Sequence, residues 1–185
     1  PVLPAKAEPR YSTGGRLMRI RKDGEATRHR LLAAGRLVFG DRGYAKATNA
    51  AISREAGVNA ALIGFHFGSK DGLYRAVWDD VSAEAERLYP FDGGVPSDAP
   101  AEARFRALIG AMLGRAVDTR LESFHRIQMA EMVNPTGLLG EKLTSQARRH
   151  RSHLLAVLRE LLGPAATESD AMFCEMSVIS QCLVI

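Results

Sequence analysis

A chain of 185 residues with 46% hydrophobic content is long enough for one or two small domains and a packed core, and no apolar run in it approaches a membrane span. Its formal net charge of +4 is unevenly divided: residues 1–70 hold 13 Lys+Arg against 5 Asp+Glu, net +8, and residues 71–185 hold 12 against 16, net −4. A basic first part joined to an acidic remainder fits one region that meets phosphates and another that meets proteins or small molecules; the alternative is an unevenly solvated surface.

Residues 1–22, with three prolines and the pair Gly14-Gly15, show no convincing period and read as a basic mobile arm. Arg10, Arg16, Arg19, Arg21 and Lys22 would suit a DNA minor groove; the other reading is a disordered tail. The same charges interrupt any apolar leader segment, so the chain is expected in the cytoplasm. Asp23 to Gly40 forms the first helix, with Leu31, Ala34, Gly35 and Val38 on one face and Phe39 beside them.

Residues 48–67 read as two short helices around a tight Gly57-Val58 turn. Thr48 caps the first, Ile52 and Ala56 share a face, and Gly57 suits a left-handed stop. Asn59 caps the second, where the small Ala60 and Ala61 allow close approach to another surface and Leu62 anchors the helix inside. A helix-turn-helix of this kind presents its second helix to the DNA major groove. Ser69 then caps a long helix from about Lys70 to Leu88, carrying Leu73, Val77, Val81 and Leu88, which Pro90 stops. It is long enough to join two domains.

The stretch LLAAGRLVFGDRGYAKATNAAISREAGVNAALIGFHFGSKDGLY, residues 31–74, resembles the DNA-binding domain of TetR-type transcriptional repressors, with its landmarks at Phe39, Gly43-Tyr44, Ala56-Gly57-Val58, His66-Phe67 and Lys70. Further on, MAEMVNPTGLL, LRELLG and SVISQCLVI are similar to the C-terminal domain of the CecR-like subgroup of that family. The resemblance implies that Thr48 meets a phosphate, that Asn59, Ala60, Ala61, Leu62 and Ile63 face the groove, and that His66 and Lys70 meet the backbone. Phe65 belongs to the same candidate interface, at a position where family members often carry Tyr or His, and Gly64 stands where they usually carry Tyr. His66 is equally readable as a packed core histidine. Direct base readout looks thin: Asn59 suits adenine and the two alanines suit thymine methyls, which leaves much to phosphates and DNA shape.

Beyond the Gly93-Gly94 and Pro96 loop, helices are expected near 101–119, 123–132, 138–162 and from 169 to the end, with breaks at Asn134-Pro135 and Gly163-Pro164. The last helix stays apolar to Ile185 without a stop, so it continues in a longer chain or ends unpaired. Cys174 and Cys182 lie eight positions apart, about 12 Å along a helix, too far for a local disulfide. Met112, Arg115, Phe124, His125, Met129 and Met132 are the candidates for a small-molecule pocket, against the plainer reading of ordinary core. By resemblance, Phe173, Met176, Val178, Ile179 and Leu183 contribute to a four-helix dimer interface, or else to intramolecular core.

Little points to catalysis. The run Gly64-x-x-x-Gly68-Ser69-Lys70 has its glycines one residue too close for a phosphate loop and places Asp71 where a hydroxyl should bind magnesium. His150 and His153, three apart among arginines, read as a solvated basic helix face rather than a metal site. No catalytic residue, cofactor or metal is expected. The expectation is therefore an all-α protein: an arm at 1–22, a helix-turn-helix domain at 23–69, and a helical effector-binding and dimerisation domain at 70–185, incomplete at its C-terminus. Its function would be that of a homodimeric repressor of double-stranded operator DNA, relieved by an unidentified small-molecule effector and without a membrane partner. The alternatives are an effector-independent regulator or activator, and a small-molecule enzyme of the helical domain.

Overall fold

The computed structural model describes the backbone of residues 13–183 and the side chains of residues 23–182. Among the described residues the structure is all-α, without strands. Helix α1 spans Thr13–Lys46, α2 Asn49–Ala56, α3 Ala61–Phe67 and α4 Lys70–Leu88. After the loop come α5 at Ala101–Val117, a 3-10 turn at Thr119–Leu121, α6 at Glu122–Val133, α7 at Gly140–Leu162 and α8 at Glu168–Leu183. No helix among the described residues is long and apolar enough to cross a membrane.

Helix α1 is longer than its apolar stripe. It begins at Thr13, not Asp23, so the part of the expected arm from Thr13 onward is helical. Arg16, Leu17, Met18, Arg19, Arg21 and Lys22 are all good helix formers, and propensity extends a helix without any periodic apolar face. Arg10 and the side chains of Arg16, Arg19, Arg21 and Lys22 lie outside the described residues, as does the side chain of Leu183. At its other end α1 breaks at Gly43, whose φ of 68° and ψ of 168° are not helical, before a last turn reaches Lys46.

Helices α1 to α4 share a core in which Leu31, Phe39, Ile52, Ile63, Leu73, Tyr74, Val77 and Trp78 are almost completely buried. That core continues through Leu121, Phe124 and Ile127 to Leu139, so α6 packs on α1 as well as on α4. Arg36 on α1 donates to Asp80 at 2.7 Å and Glu84 at 2.6 Å, four residues apart on α4, which ties the two helices along their exposed edge. Trp78 stacks on Phe124 with ring centroids 5.3 Å apart. Helices α5, α7 and α8 form the far layer, closed by the buried Leu108, Leu154, Leu158 and Ala171.

Candidate nucleic-acid interface

Local chemistry sets the geometry of α2 and α3. The Thr48 hydroxyl accepts the Ala51 N–H at 3.1 Å, and its own hydrogen has no acceptor among the described residues. Gly57 turns the chain with φ 63° and ψ 38°, while the Gly57 and Val58 N–H groups bond to the Arg54 and Ser53 carbonyls at 3.2 and 3.0 Å. Asn59 Oδ1 then accepts the Ala61 N–H at 2.8 Å and opens α3. The exposed face of this helix consists of Asn59, Ala60, Ala61, Gly64 and Phe65, the last 80% exposed.

Two expected groove residues do not lie on that face. Ile63 is fully buried, and Leu62 packs against the same core, because burying one stripe of a seven-residue helix withdraws those two side chains from solvent. Neither side chain is placed to read a base edge. His66 is half-buried between the Phe65 and Phe67 rings, with centroids at 4.9 and 6.3 Å. Arg28 lies over the Phe67 ring at 5.3 Å, which brings an exposed cation from α1 to the end of α3. Sequence reading missed Arg28, although the regional charge signalled that such residues exist.

Lys70 sits differently from its expected role. Its amine donates to the carbonyls of Tyr44 and Ala47, both at 3.1 Å, and lies 4.0 Å from the centre of the Tyr44 ring. At least two of its three protons are thus engaged within the protein. The Tyr44 hydroxyl in turn donates to Asp71, whose carboxylate pushes that hydroxyl up to about 12. This clamp fastens the end of α1, just before the Thr48 cap, to the start of α4.

A pocket of about 380 Å³, open to solvent on one side, lies between α5, α6, α7 and α8. Of the expected pocket residues, Met112, Arg115 and Phe124 line it. His125 does not: its Nε2 meets the Arg115 carbonyl at 2.6 Å. Met129 and Met132 are on the outside, 59% and 69% exposed, because the face of α6 that carries them turns away from the core that takes Phe124 and Ile127. Gln128, Gln146 and Glu175, which sequence reading missed, are also in the lining, as is His150, whose buried Nε2 departs from the solvated basic face expected of it. His150 had a legible signal: Leu143, Ala147, His150 and Leu154 follow a spacing of four, three and four on one face of α7.

Residues 31–77 match the family model for bacterial regulatory proteins of the tetR family, and residues 101–185 match that for the C-terminal domain of the HTH-type transcriptional dual regulator CecR. The HTH-type transcriptional regulator SrpR of Pseudomonas putida is 27% identical over 137 residues, covering 74% of this chain and 62% of that protein. The chain thus spans less than two thirds of the length of SrpR. The uncharacterized HTH-type transcriptional regulator TtgW, also of Pseudomonas putida, is 25% identical over 132 residues, 71% of this chain and 94% of that one. The chain belongs to the TetR family.

Solved structures agree on the fold. A protein from Pseudomonas aeruginosa PAO1 described as a transcriptional regulator aligns with a TM-score of 0.65 at 24% identity, covering 84% of this chain and 77% of that one. A TetR-like transcriptional regulator from Rhodococcus sp. RHA1 aligns with a TM-score of 0.57 at 22% identity, covering 84% and 78%. The chain shares the all-α architecture of these TetR-like proteins, an N-terminal helix-turn-helix followed by a C-terminal helical domain.

In this TetR-family chain a buried hydrogen bond and ring contacts tie α6, which forms part of the cavity wall, to α4 and the end of α1. Glu131, buried on α6 one turn beyond Gln128, accepts the Tyr74 hydroxyl of α4 at 2.8 Å and the Thr136 hydroxyl at 2.8 Å. Burial and the Glu131 carboxylate together push the Tyr74 hydroxyl far above the ordinary phenol range. The Tyr74 ring packs 4.8 Å from Phe39 and 5.0 Å from Tyr44, the ring under the Lys70 amine. Of the expected dimer residues, Phe173 and Met176 are 70% and 65% exposed. Val178 and Ile179 are half-buried, and Ile179 lines the cavity.

Proposed function

We propose that this regulator is a homodimeric repressor whose two heads hold a palindromic operator and whose release is triggered by a small molecule entering the cavity between α5, α6, α7 and α8. The observation that carries this reading is that α6, which gives Phe124 and Gln128 to the cavity wall, also holds the Tyr74 hydroxyl through Glu131, and the Tyr74 ring packs on Tyr44 of the Tyr44–Lys70 clamp beside Thr48. A ligand that displaces α6 acts on both helices that carry the head, and it need favour the DNA-incompetent arrangement by only a few kcal/mol.

On this reading residues 23–69 form the head and residues 70–185 the regulatory and dimerisation domain. Asn59, Ala60, Ala61 and Phe65 face the groove, and the Thr48 hydroxyl hydrogen, His66 and Arg28 meet phosphates. Lys70 acts mainly by positioning the start of α2. The exposed Met172, Phe173 and Met176 on α8, with Leu161 and Leu162 at the end of α7, supply the apolar face for a second copy.

Footprinting on upstream DNA, with light scattering on the same preparation, is the direct test. A two-fold symmetric protected site bound by a dimer is expected, together with raised transcription from that promoter when the gene is deleted. Lowered transcription on deletion would make the protein an activator, and a monomer bound to an asymmetric site would remove the two-headed model.

A further inference from the structure

The cavity wall has a chemistry of its own. Its apolar side is built by Met112, Phe124, Leu154 and Ile179, and its volume of about 380 Å³ lies at the lower end of the range for small-molecule pockets. The three charged residues of its lining, Arg115, Arg151 and Glu175, are each paired. Arg115 donates to Glu86 at 3.2 Å and to the Tyr89 carbonyl at 2.5 Å, and Arg151 Nε lies 2.9 and 3.1 Å from the two oxygens of the buried Glu175. One polar atom is left over: His150 Nε2 is buried and has no hydrogen-bond partner among the described residues.

The surroundings of that atom are electropositive. The Phe91 ring carries the His150 imidazole on its edge at 4.0 Å, the Arg115 guanidinium at 4.5 Å and the Arg149 guanidinium at 4.7 Å. Arg115 comes from α5, Arg149 and His153 from His150's own helix, and the acid facing the cavity from α8, Glu175, is neutralised by Arg151. Arg149 makes no ion pair among the described residues. Burial, with Arg115, His153 and Arg149, pushes the His150 imidazole down to about 4, so it is neutral at physiological pH.

We propose that the effector is a small ring-bearing organic acid, whose ring lies among Met112, Phe124, Leu154 and Ile179 and whose carboxylate bonds to His150 Nε2. This rests on the reading of the cavity as the effector site and adds the chemical class. An amine meets the Arg149 guanidinium, which has no ion pair among the described residues, and is disfavoured. A neutral hydroxyl satisfies the imidazole but gains nothing from that charge. A carboxylate gains both, because a buried anion is stable only where hydrogen bonds and opposite charge replace its hydration. Binding of the anion also reverses the electrostatic balance at the imidazole, which takes up a proton from the buffer and becomes the cationic partner of the carboxylate.

The chain's single tryptophan reports on this site, since Trp78 stacks on Phe124 and Phe124 lines the cavity. Adamantylacetate, adamantylethanol and protonated adamantylethylamine share one apolar body, absorb no near-ultraviolet light, and differ in charge. Titration at about pH 6, followed by Trp78 emission and by calorimetry in two buffers of different ionisation enthalpy, is expected to show the acid binding at least about tenfold more tightly than the alcohol and the amine not at all. Proton uptake should accompany the acid alone. His150→Gln, which keeps a donor but cannot titrate, should abolish that uptake and reduce the acid's advantage over the alcohol to the part that Arg149 supplies. If the variant does not fold, the three probes on the unaltered protein still decide. Equal or tighter binding of the alcohol overturns the acid assignment and leaves the cavity reading standing; no binding by any probe, with unchanged Trp78 emission, overturns both.

Discussion

Two glycines at the head should respond to alanine in opposite directions. Gly72 sits in the first turn of α4, where a Cβ would fall 1.9 Å from the Phe67 carbonyl oxygen and 3.1 Å from its carbon. A methyl carbon and a carbonyl oxygen need about 3.3 Å, so the end of α3 must retreat by roughly 1.4 Å, and backbone rather than a flexible side chain has to move. Overpacking costs about 1–3 kcal/mol, and alanine's helix preference returns less than about 1 kcal/mol. The net loss is about 2 kcal/mol, a fall in Tm of about 4–8 °C for a chain of this size. Gly64 lies mid-helix in α3 with nothing within 4 Å of its missing Cβ, so alanine there gains up to about 1 kcal/mol and about 2–4 °C. Thermal melts by circular dichroism read both effects. Anisotropy on the footprinted operator should also show Gly72→Ala binding at least about tenfold more weakly, since a shift of that size exceeds the roughly 0.5 Å tolerance of a preorganised site. A Gly72→Ala protein that melts at or above the parent temperature would refute the close approach of α3 to α4.

Lys70→Ala removes two charge-assisted hydrogen bonds and a contact with the Tyr44 ring, so it should lower stability by about 2 kcal/mol without DNA present; a thermal melt equal to the parent's would return Lys70 to a phosphate role. The salt dependence of its operator binding should fall by less than one full phosphate contact, which a titration over ionic strength measures. Tyr74→Phe leaves the buried Glu131 with one donor fewer and should cost about 1–3 kcal/mol by chemical denaturation, with weaker coupling between effector and operator; an unchanged coupling would remove Tyr74 from the path. His150 is neutral when folded down to about pH 4, whereas the unfolded chain protonates it near its ordinary value of 6.5. The unfolded state therefore binds more protons between those limits, and His150's contribution makes stability fall as pH drops from about 6.5 to about 4. His150→Gln should flatten that part of the denaturation profile, and an equally steep profile in the variant would place the titration elsewhere.

Rules that act over a few residues made much of the head legible. Thr48 and Ser69 cap their helices, Asn59 accepts the Ala61 N–H from one position before the cap of α3, Gly57 takes the left-handed turn, and α4 spans the expected Lys70–Leu88, because each depends on bonds to backbone groups two to four positions away. Helix breaks at Asn134-Pro135 and Gly163-Pro164 follow from the same local chemistry. The start of α1 was not legible, since an apolar period marks a buried face and a helix can form by propensity without one.

Which face meets which neighbour was a different matter. Ile63 and Asn59 lie four residues apart on the same short segment, yet one is buried in the core and the other exposed; only the packing of α3 on α4 decides that. Met129 and Met132 have the composition of a pocket and lie outside it, whereas His150, within a run of arginines, is turned into the cavity by the stripe it shares with Leu143, Ala147 and Leu154. Lys70 has the charge for a phosphate and uses it on two carbonyls from α1 and its following turn, 26 and 23 positions away. Local hydrogen bonding is written in adjacent residues, so sequence alone determines the turns and caps of the helix-turn-helix. Burial, charge pairing and the unpartnered imidazole depend on side chains brought together from distant positions, and those only the tertiary structure decided.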